Sequence, residues 1–185
     1  MHLAAQETGK EERIRIVDSG NLSTGLGILV TEAAGLAKEG ACADEIVRYL
    51  EDLKPRICTS FVIDTLKYLH MGGRCSGLSA FAGSTLKLHP LIRMEDGVLH
   101  VRKKYHGSID KCLLRYVEEL SEELSRANPV RVFLTASMPE DTPVVGEIRG
   151  MLEALHHFDR IIFAQAGALI SSHCGPGASG IIYSR

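Results

Sequence analysis

The densest chemistry in the sequence lies near its end, at His173-Cys174-Gly175-Pro176-Gly177. Gly175 and Gly177 leave the backbone free to take positive φ, so successive amide N–H groups can turn the same way and form an anion nest. His173 stands beside that nest with an imidazole able to donate to a carboxylate or phosphate oxygen. Read by themselves, the same residues are equally a tight turn carrying a structural histidine. A second group is Gly72-Gly73-Arg74, where two glycines stop a helix and let a forked guanidinium project toward an anion. The alternative there is a helix stop followed by a surface arginine. A third is Asp18-Ser19, placed after a strand where open α/β folds put their sites, or simply a loop with capping side chains.

Several chemistries are poorly supplied. Gly25-Leu26-Gly27 would need a third glycine where Val30 stands, so the dinucleotide fingerprint fails. The sequence has neither a Gly-x-Ser-x-Gly elbow nor a phosphate-binding loop with Lys and Ser/Thr. The histidines lack a metal-ligand spacing, so neither a metal nor a cofactor is expected. Aromatic residues make up 5% of the chain, with no Trp, and the formal net charge is -2, a weak basis for nucleic-acid binding. The cysteine count is 5, odd and without a Cys-x-x-Cys pair, which points to reduced thiols and a cytoplasmic setting. The first residues hold no apolar signal core, and the apolar run from Ile161 to Ile170 is too short to cross a bilayer.

The elements that must position these groups alternate between strand and helix. Arg13–Val17 reads as a strand, and Ser23 or Thr24 caps a helix reaching about Lys38. Asp44–Leu53 is a short helix stopped by Pro55, Ile57–Ile63 a strand, and Thr65–His70 a helix. Ser76–Leu88 reads as a buried helix. Pro90–Met94 and Val98–Lys103 flank Asp96-Gly97, a hairpin signal. Asp110–Arg126 is an amphipathic helix, Val130–Ala136 a strand, and Thr142-Pro143 opens another helix. Arg160–Ala164 and the region of Ile181 supply the last strands. This pattern implies an α/β fold with a mixed sheet. Residues 1–62 are expected to be the remnant of an N-terminal α/β domain. Residues 63–185 are expected to form a C-terminal domain with a hairpin inserted near 90–104.

The order of these groups resembles the DegV family. Asp18-Ser19, Ser23 to Gly27, Phe61 to Leu69, Gly72-Gly73-Arg74, Pro90, Asp96-Gly97 and His173 to Gly177 follow one another as in that family over nearly the whole chain. The resemblance implies a two-domain clamp that holds a long-chain fatty acid in an apolar tunnel. Some members hand the acid to a fatty-acid kinase, to which the catalysis belongs. His173, Gly175, Gly177, Arg74 and Ser19 would then surround the head group. Leu78, Ala80, Phe81, Leu86, Leu91 and Ile92 are candidates for the tail wall, and each also reads as plain core.

The sequence departs from the family in ways that bear on binding. The hydroxyl-rich segments that would open the first domain are not upstream of Met1, so that domain is expected to be incomplete, with exposed apolar surface and a tendency to form homo-oligomers. His89 stands where the family often has Lys, and Tyr105-His106 where it often has a basic residue. Two other readings stay open. One is a small hydrolase or transferase with His173 as general base beside Asp18 and Ser19. The other is a non-binding remnant stable only as an oligomer.

Overall fold

A computed structural model describes residues 2–74 and 88–185. A helix expected over Ser76–Leu88, together with Leu78, Ala80, Phe81 and Leu86, lies wholly or mainly outside the described residues. The helices are α1 (His2–Glu7), α2 (Ser23–Lys38), α3 (Ala43–Leu53), α4 (Lys67–Met71), α5 (Ile109–Leu124), α6 (Pro143–Ala154) and α7 (Ala168–Cys174). The strands are β1 (Ile57–Val62), β2 (Leu88–Glu95), β3 (Val98–His106), β4 (Val132–Ala136), β5 (Ile161–Gln165) and β6 (Ser179–Ser184).

All of the strands lie in one sheet, ordered β3-β2-β1-β6-β4-β5. β4 and β5 are parallel, whereas β1 and β4 each pair antiparallel with β6, which makes the sheet mixed. Strand alternation sorts side chains between the two faces. On one face Val62, Leu134, Ile181 and Tyr183 meet α5 and α6 through Leu113, Val117, Val145 and Ile148. On the other, Ile57, Phe133 and Ile182 meet Ile28 and Leu29 of α2 and Leu50 and Leu53 of α3. Farther along that second face, Phe61, Ile63 and Ile92 pack with Leu69 of α4, with Leu66 just before it, and with Cys174 and Ile170 of α7.

The sheet is pinned at its centre by one phenol. The Tyr116 hydroxyl donates to the Ser60 carbonyl at 2.9 Å and accepts the Ile181 amide at 3.1 Å, so it bridges β1 and β6. Burial pushes its ionisation up to about 12, so it acts as a neutral hydrogen-bonding group.

Three local expectations need correction. Arg13–Val17 does not form a strand: Glu11–Arg13 is a 3-10 turn, and the residues that follow join no ladder. Arg15 instead turns out to Asp44, at 2.7 Å. Neither Ser23 nor Thr24 caps α2. Leu22 holds the cap position without a side-chain bond, and the Thr24 hydroxyl is engaged with Thr135 at 2.8 Å. The segment read as a glycine-rich turn begins instead with helix α7. The border expected between residues 62 and 63 falls just after β1, an interior strand that pairs with both β2 and β6. Leu3, Ile14, Leu26 and Val30 leave apolar surface exposed in the N-terminal stretch.

Candidate functional site

The fold brings together the two glycine motifs that are far apart in sequence. α4 ends at Gly72 and packs against α7, so the His173 imidazole lies directly on the Gly72 backbone. A β-carbon at Gly72 would collide with the ring, 2.6 Å from Nε2. In the next turn, Gly175 makes room in the same way for Tyr68, whose Cε2 would lie 2.5 Å from an added β-carbon. Gly175 also has φ of 78°, a conformation that favours glycine. Arg74 is exposed and folds back so that its Nη1 donates to the Gly72 carbonyl at 3.1 Å, which places the guanidinium on the same surface.

His173 is half-buried, and its Nδ1 donates to the Leu169 carbonyl at 2.7 Å. Since a carbonyl only accepts, Nδ1 carries the proton, which leaves Nε2 as the free ring nitrogen. The anion nest is largely spent on the fold itself. The Gly175 amide closes α7 on the Ser171 carbonyl at 2.8 Å, and Pro176 has no N–H. The Ala178 amide donates to the Ser137 hydroxyl at 3.0 Å. Gly177 turns with φ of 73° beside Ile109. The helix that sequence reasoning missed is what consumes the Gly175 donor.

The helix that carries the imidazole also borders an apolar crevice of about 30 Å³ at the carboxyl ends of the parallel strands, although His173 is not one of its lining residues. Its walls include Phe61, Ile170, Cys174, Ala178 and Ile182. Ile170 and Cys174 flank His173 on α7, so the helix presents its apolar side to the crevice and its imidazole toward α4. Burial raises the Cys174 thiol to about 11, which makes it a neutral wall group and not a nucleophile. Ser23, Thr59, Thr135, Ser137 and Ser179 also border the crevice, but the surface they give it is almost wholly apolar. Thr59 donates to Asn21 Oδ1 at 2.8 Å. Gly25 permits this approach, because a β-carbon there would lie 2.8 Å from Thr59 Oγ1.

Ser19 stands elsewhere, in an open cleft of about 640 Å³ that Thr59 also lines. This cleft forms where β1 and β2 splay: their pairing covers only Ser60–Val62 of β1. The Ser19 hydroxyl is turned inward to the Asn21 carbonyl and amide, both at 3.1 Å. Asp18 accepts the Gly20 amide at 3.0 Å. The hydrogen bonds of His173 go to α7 itself, and none joins it to Asp18 or Ser19. Leu91 and Ile92 cannot share one tail wall, because neighbours in a strand face opposite ways. Leu91 packs with Tyr105 on the α5 side, whereas Ile92 joins Phe61 and Cys174 on the crevice side. No group of His, Cys, Asp and Glu fit to hold a metal ion occurs among the described residues. Nor does a described helix have the length and apolarity to cross a membrane.

The chain is matched over residues 1–185 by the model of a known family, described as "Uncharacterised protein, DegV family". The chain belongs to the DegV family. A DegV domain-containing protein of Caldanaerobacter subterraneus subsp. tengcongensis is 33% identical over 180 residues, covering 97% of this chain and 63% of that protein. The fold is shared with a DegV protein of Thermus thermophilus described for its fatty-acid binding, with TM-score 0.85 and 29% identity, covering 100% of this chain and 65% of that one. DegV of Bacillus subtilis, described as a fatty acid binding protein, aligns with TM-score 0.76 and 29% identity over 91% of this chain and 59% of that one. The chain thus spans under two thirds of the length of each of these DegV proteins. The crevice residues that sequence reasoning overlooked are Phe61, Ile170 and Cys174, with Thr59 and Thr135 beside them. The only available signal was the helical spacing of Ile170 and Cys174 about His173.

Proposed function

We propose that this chain forms the His173-bearing part of a fatty-acid carrier, with the acyl chain entering the crevice between α2, α7 and the sheet. The observation that carries this reading is the placement of an apolar crevice on the same short helix as the imidazole. A carboxylate left without donors at the end of such a crevice would be strongly unfavourable. We place the carboxylate on the α4–α7 surface beyond the crevice, where the Arg74 guanidinium can donate and His173 can donate from Nε2 as the imidazolium, Nδ1 already being committed to Leu169. Gly175 and Gly177 shape the turn that sets the imidazole, and Ser19 stands in the adjoining cleft.

The crevice now has room for about one water, whose share of liquid volume is ~30 Å³. An acyl chain therefore requires α2 and α7 to move off the sheet. Burying methylene groups at about 0.8 kcal/mol each supplies a driving force for that opening. The descriptions of the Thermus and Bacillus relatives support the ligand class. Presentation to a fatty-acid kinase fits the exposed position of Arg74, and acyl-phosphate chemistry would belong to that partner. The chain itself acts as a carrier and performs no catalysis. The test is lipid content: purified protein should carry, or take up, long-chain fatty acid. Protein that stays lipid-free when offered palmitate or oleate would remove the reading.

A further inference from the structure

The two edges of the sheet are built differently. β3, at one edge, carries Arg102, Lys103 and Lys104, a row of cations that discourages pairing with another strand. β5, at the other, reads Ile161-Ile162-Phe163-Ala164-Gln165 and carries no charge. Its apolar side chains are only half-buried on both faces of the sheet, while β4 beside it is buried throughout.

The β4–β5 ladder shows which backbone groups of β5 are free. Val132 N–H donates to the Arg160 carbonyl at 3.0 Å, and Ala166 N–H donates to the Ala136 carbonyl at 2.7 Å. In a parallel ladder, alternate residues point both N–H and C=O toward the partner strand. Residues 160, 162, 164 and 166 therefore face β4. Ile161, Phe163 and Gln165 aim their N–H and C=O groups outward, where no described strand meets them.

We propose that β5 is a self-pairing edge and that its partner is β5 of a second copy of this chain, running antiparallel about a twofold axis at Phe163. That register sets Phe163 opposite Phe163 and Ile161 opposite Gln165. Every one of these residues has its backbone groups directed outward, so each pair exchanges both hydrogen bonds. A register shifted by one residue would place outward groups against inward ones. The side chains match as well. Phe163 meets its own copy on the α6 face, and Ile162 meets Ala164 on the α2 face, so apolar residues cover apolar residues. The flanking Arg160 falls opposite Ala166 and Asp159 opposite Gly167, which leaves no like charges facing each other. The sheet then continues unbroken through both copies, and the crevice beside α7 in each copy stays clear of the junction's hydrogen bonds.

The test uses Gln165, whose side chain is exposed and whose N–H points away from β4. Gln165→Pro deletes that donor without touching the β4 ladder, and Gln165→Ala keeps it. Sedimentation equilibrium should show a dimer for the wild type and for Q165A, and a dimer dissociation constant raised at least about tenfold for Q165P. The melting temperature of dissociated Q165P serves as the check on folding. Phe163→Cys is the second arm. Residues in a hydrogen-bonded antiparallel pair sit about 5.5 Å apart at Cα, within disulfide range, so mild oxidation should link position 163 to its copy in peptide maps. A wild-type chain that stays monomeric up to high micromolar concentration overturns the proposal. So does a Q165P dimer as tight as the wild type, or failure of F163C to cross-link at that position.

Discussion

Replacing Gly72 with alanine adds a single methyl group, and the structure defines where it goes. Gly72 has φ of -79°, an ordinary value for alanine, so the backbone resists nothing. The new β-carbon would stand 2.6 Å from His173 Nε2 and 3.3 Å from Cγ, whereas carbon contacts settle at about 3.5–4.0 Å. The ring must recede by roughly 1 Å or swing to another rotamer. Either movement strains or breaks the 2.7 Å bond from Nδ1 to the Leu169 carbonyl, worth about 0.5–1.5 kcal/mol. The ligand should suffer more than the fold. A charge-assisted bond from the His173 imidazolium to a carboxylate is worth about 1.5–3 kcal/mol, so fatty-acid affinity should fall about 10- to 150-fold in Gly72→Ala. Gly73→Ala is the matched control. Gly73 has φ of +69° with nothing within 4 Å of an added β-carbon, so that variant should lose about 1 kcal/mol of stability and keep its affinity. Displacement of a fluorescent fatty acid measures affinity, and urea unfolding measures stability. Unchanged affinity in Gly72→Ala would refute the role given to His173 and to its seat on α4.

Two further outcomes follow from the core and its rim. Tyr116→Phe leaves the buried Ile181 amide without its partner, at a cost of about 1–3 kcal/mol in urea unfolding, with no direct effect on the crevice. Glu123 is partly buried, which works against its charge. The hydrogen bond from Arg93 at 2.5 Å, the charge of Arg93, and Tyr183 and Arg185 outweigh that and hold the carboxyl below its ordinary value of 4.5. A lowered folded value means the contribution is present above pH 4.5 and is lost as pH falls through the folded value. Acid titration of stability should therefore show a shallower slope below pH 4.5 in Glu123→Gln than in the wild type.

Legibility from sequence followed local periodicity. The α5 stripe, the Asp96-Gly97 hairpin and the buried runs of β1 and β4 stand where spacing and turn chemistry place them. Arg13–Val17 alternates like a strand, but alternation reports a pattern and not a partner, and no described strand pairs with it. Helix α7 was hidden because its serines and neighbouring glycines weaken helix propensity, while packing of Ile170 and Cys174 on the sheet sustains it. The meeting of His173 with Gly72 is a long-range contact that no local pattern encodes. Even so, both residues lay in motifs whose types suggested anion chemistry. The crevice walls come from β1, β4, β6, α2 and α7 and required the topology itself. Leu91 and Ile92 show the converse: apolar type marks both as interior, and the strand period puts them on opposite faces of the sheet.

The most direct measurement compares oleate uptake by wild-type protein and by Ile170→Trp using native mass spectrometry. Indole bulk at position 170 would take up the crevice, and because Ile170 also packs with Leu66 and Leu69 the melting temperature checks that α4 keeps its place. The prediction is a single fatty acid bound per wild-type chain and little or none in the variant, at matching melting temperatures. An empty wild-type chain, or equal occupancy in both proteins, would contradict the placement of the acyl chain between α2, α7 and the sheet.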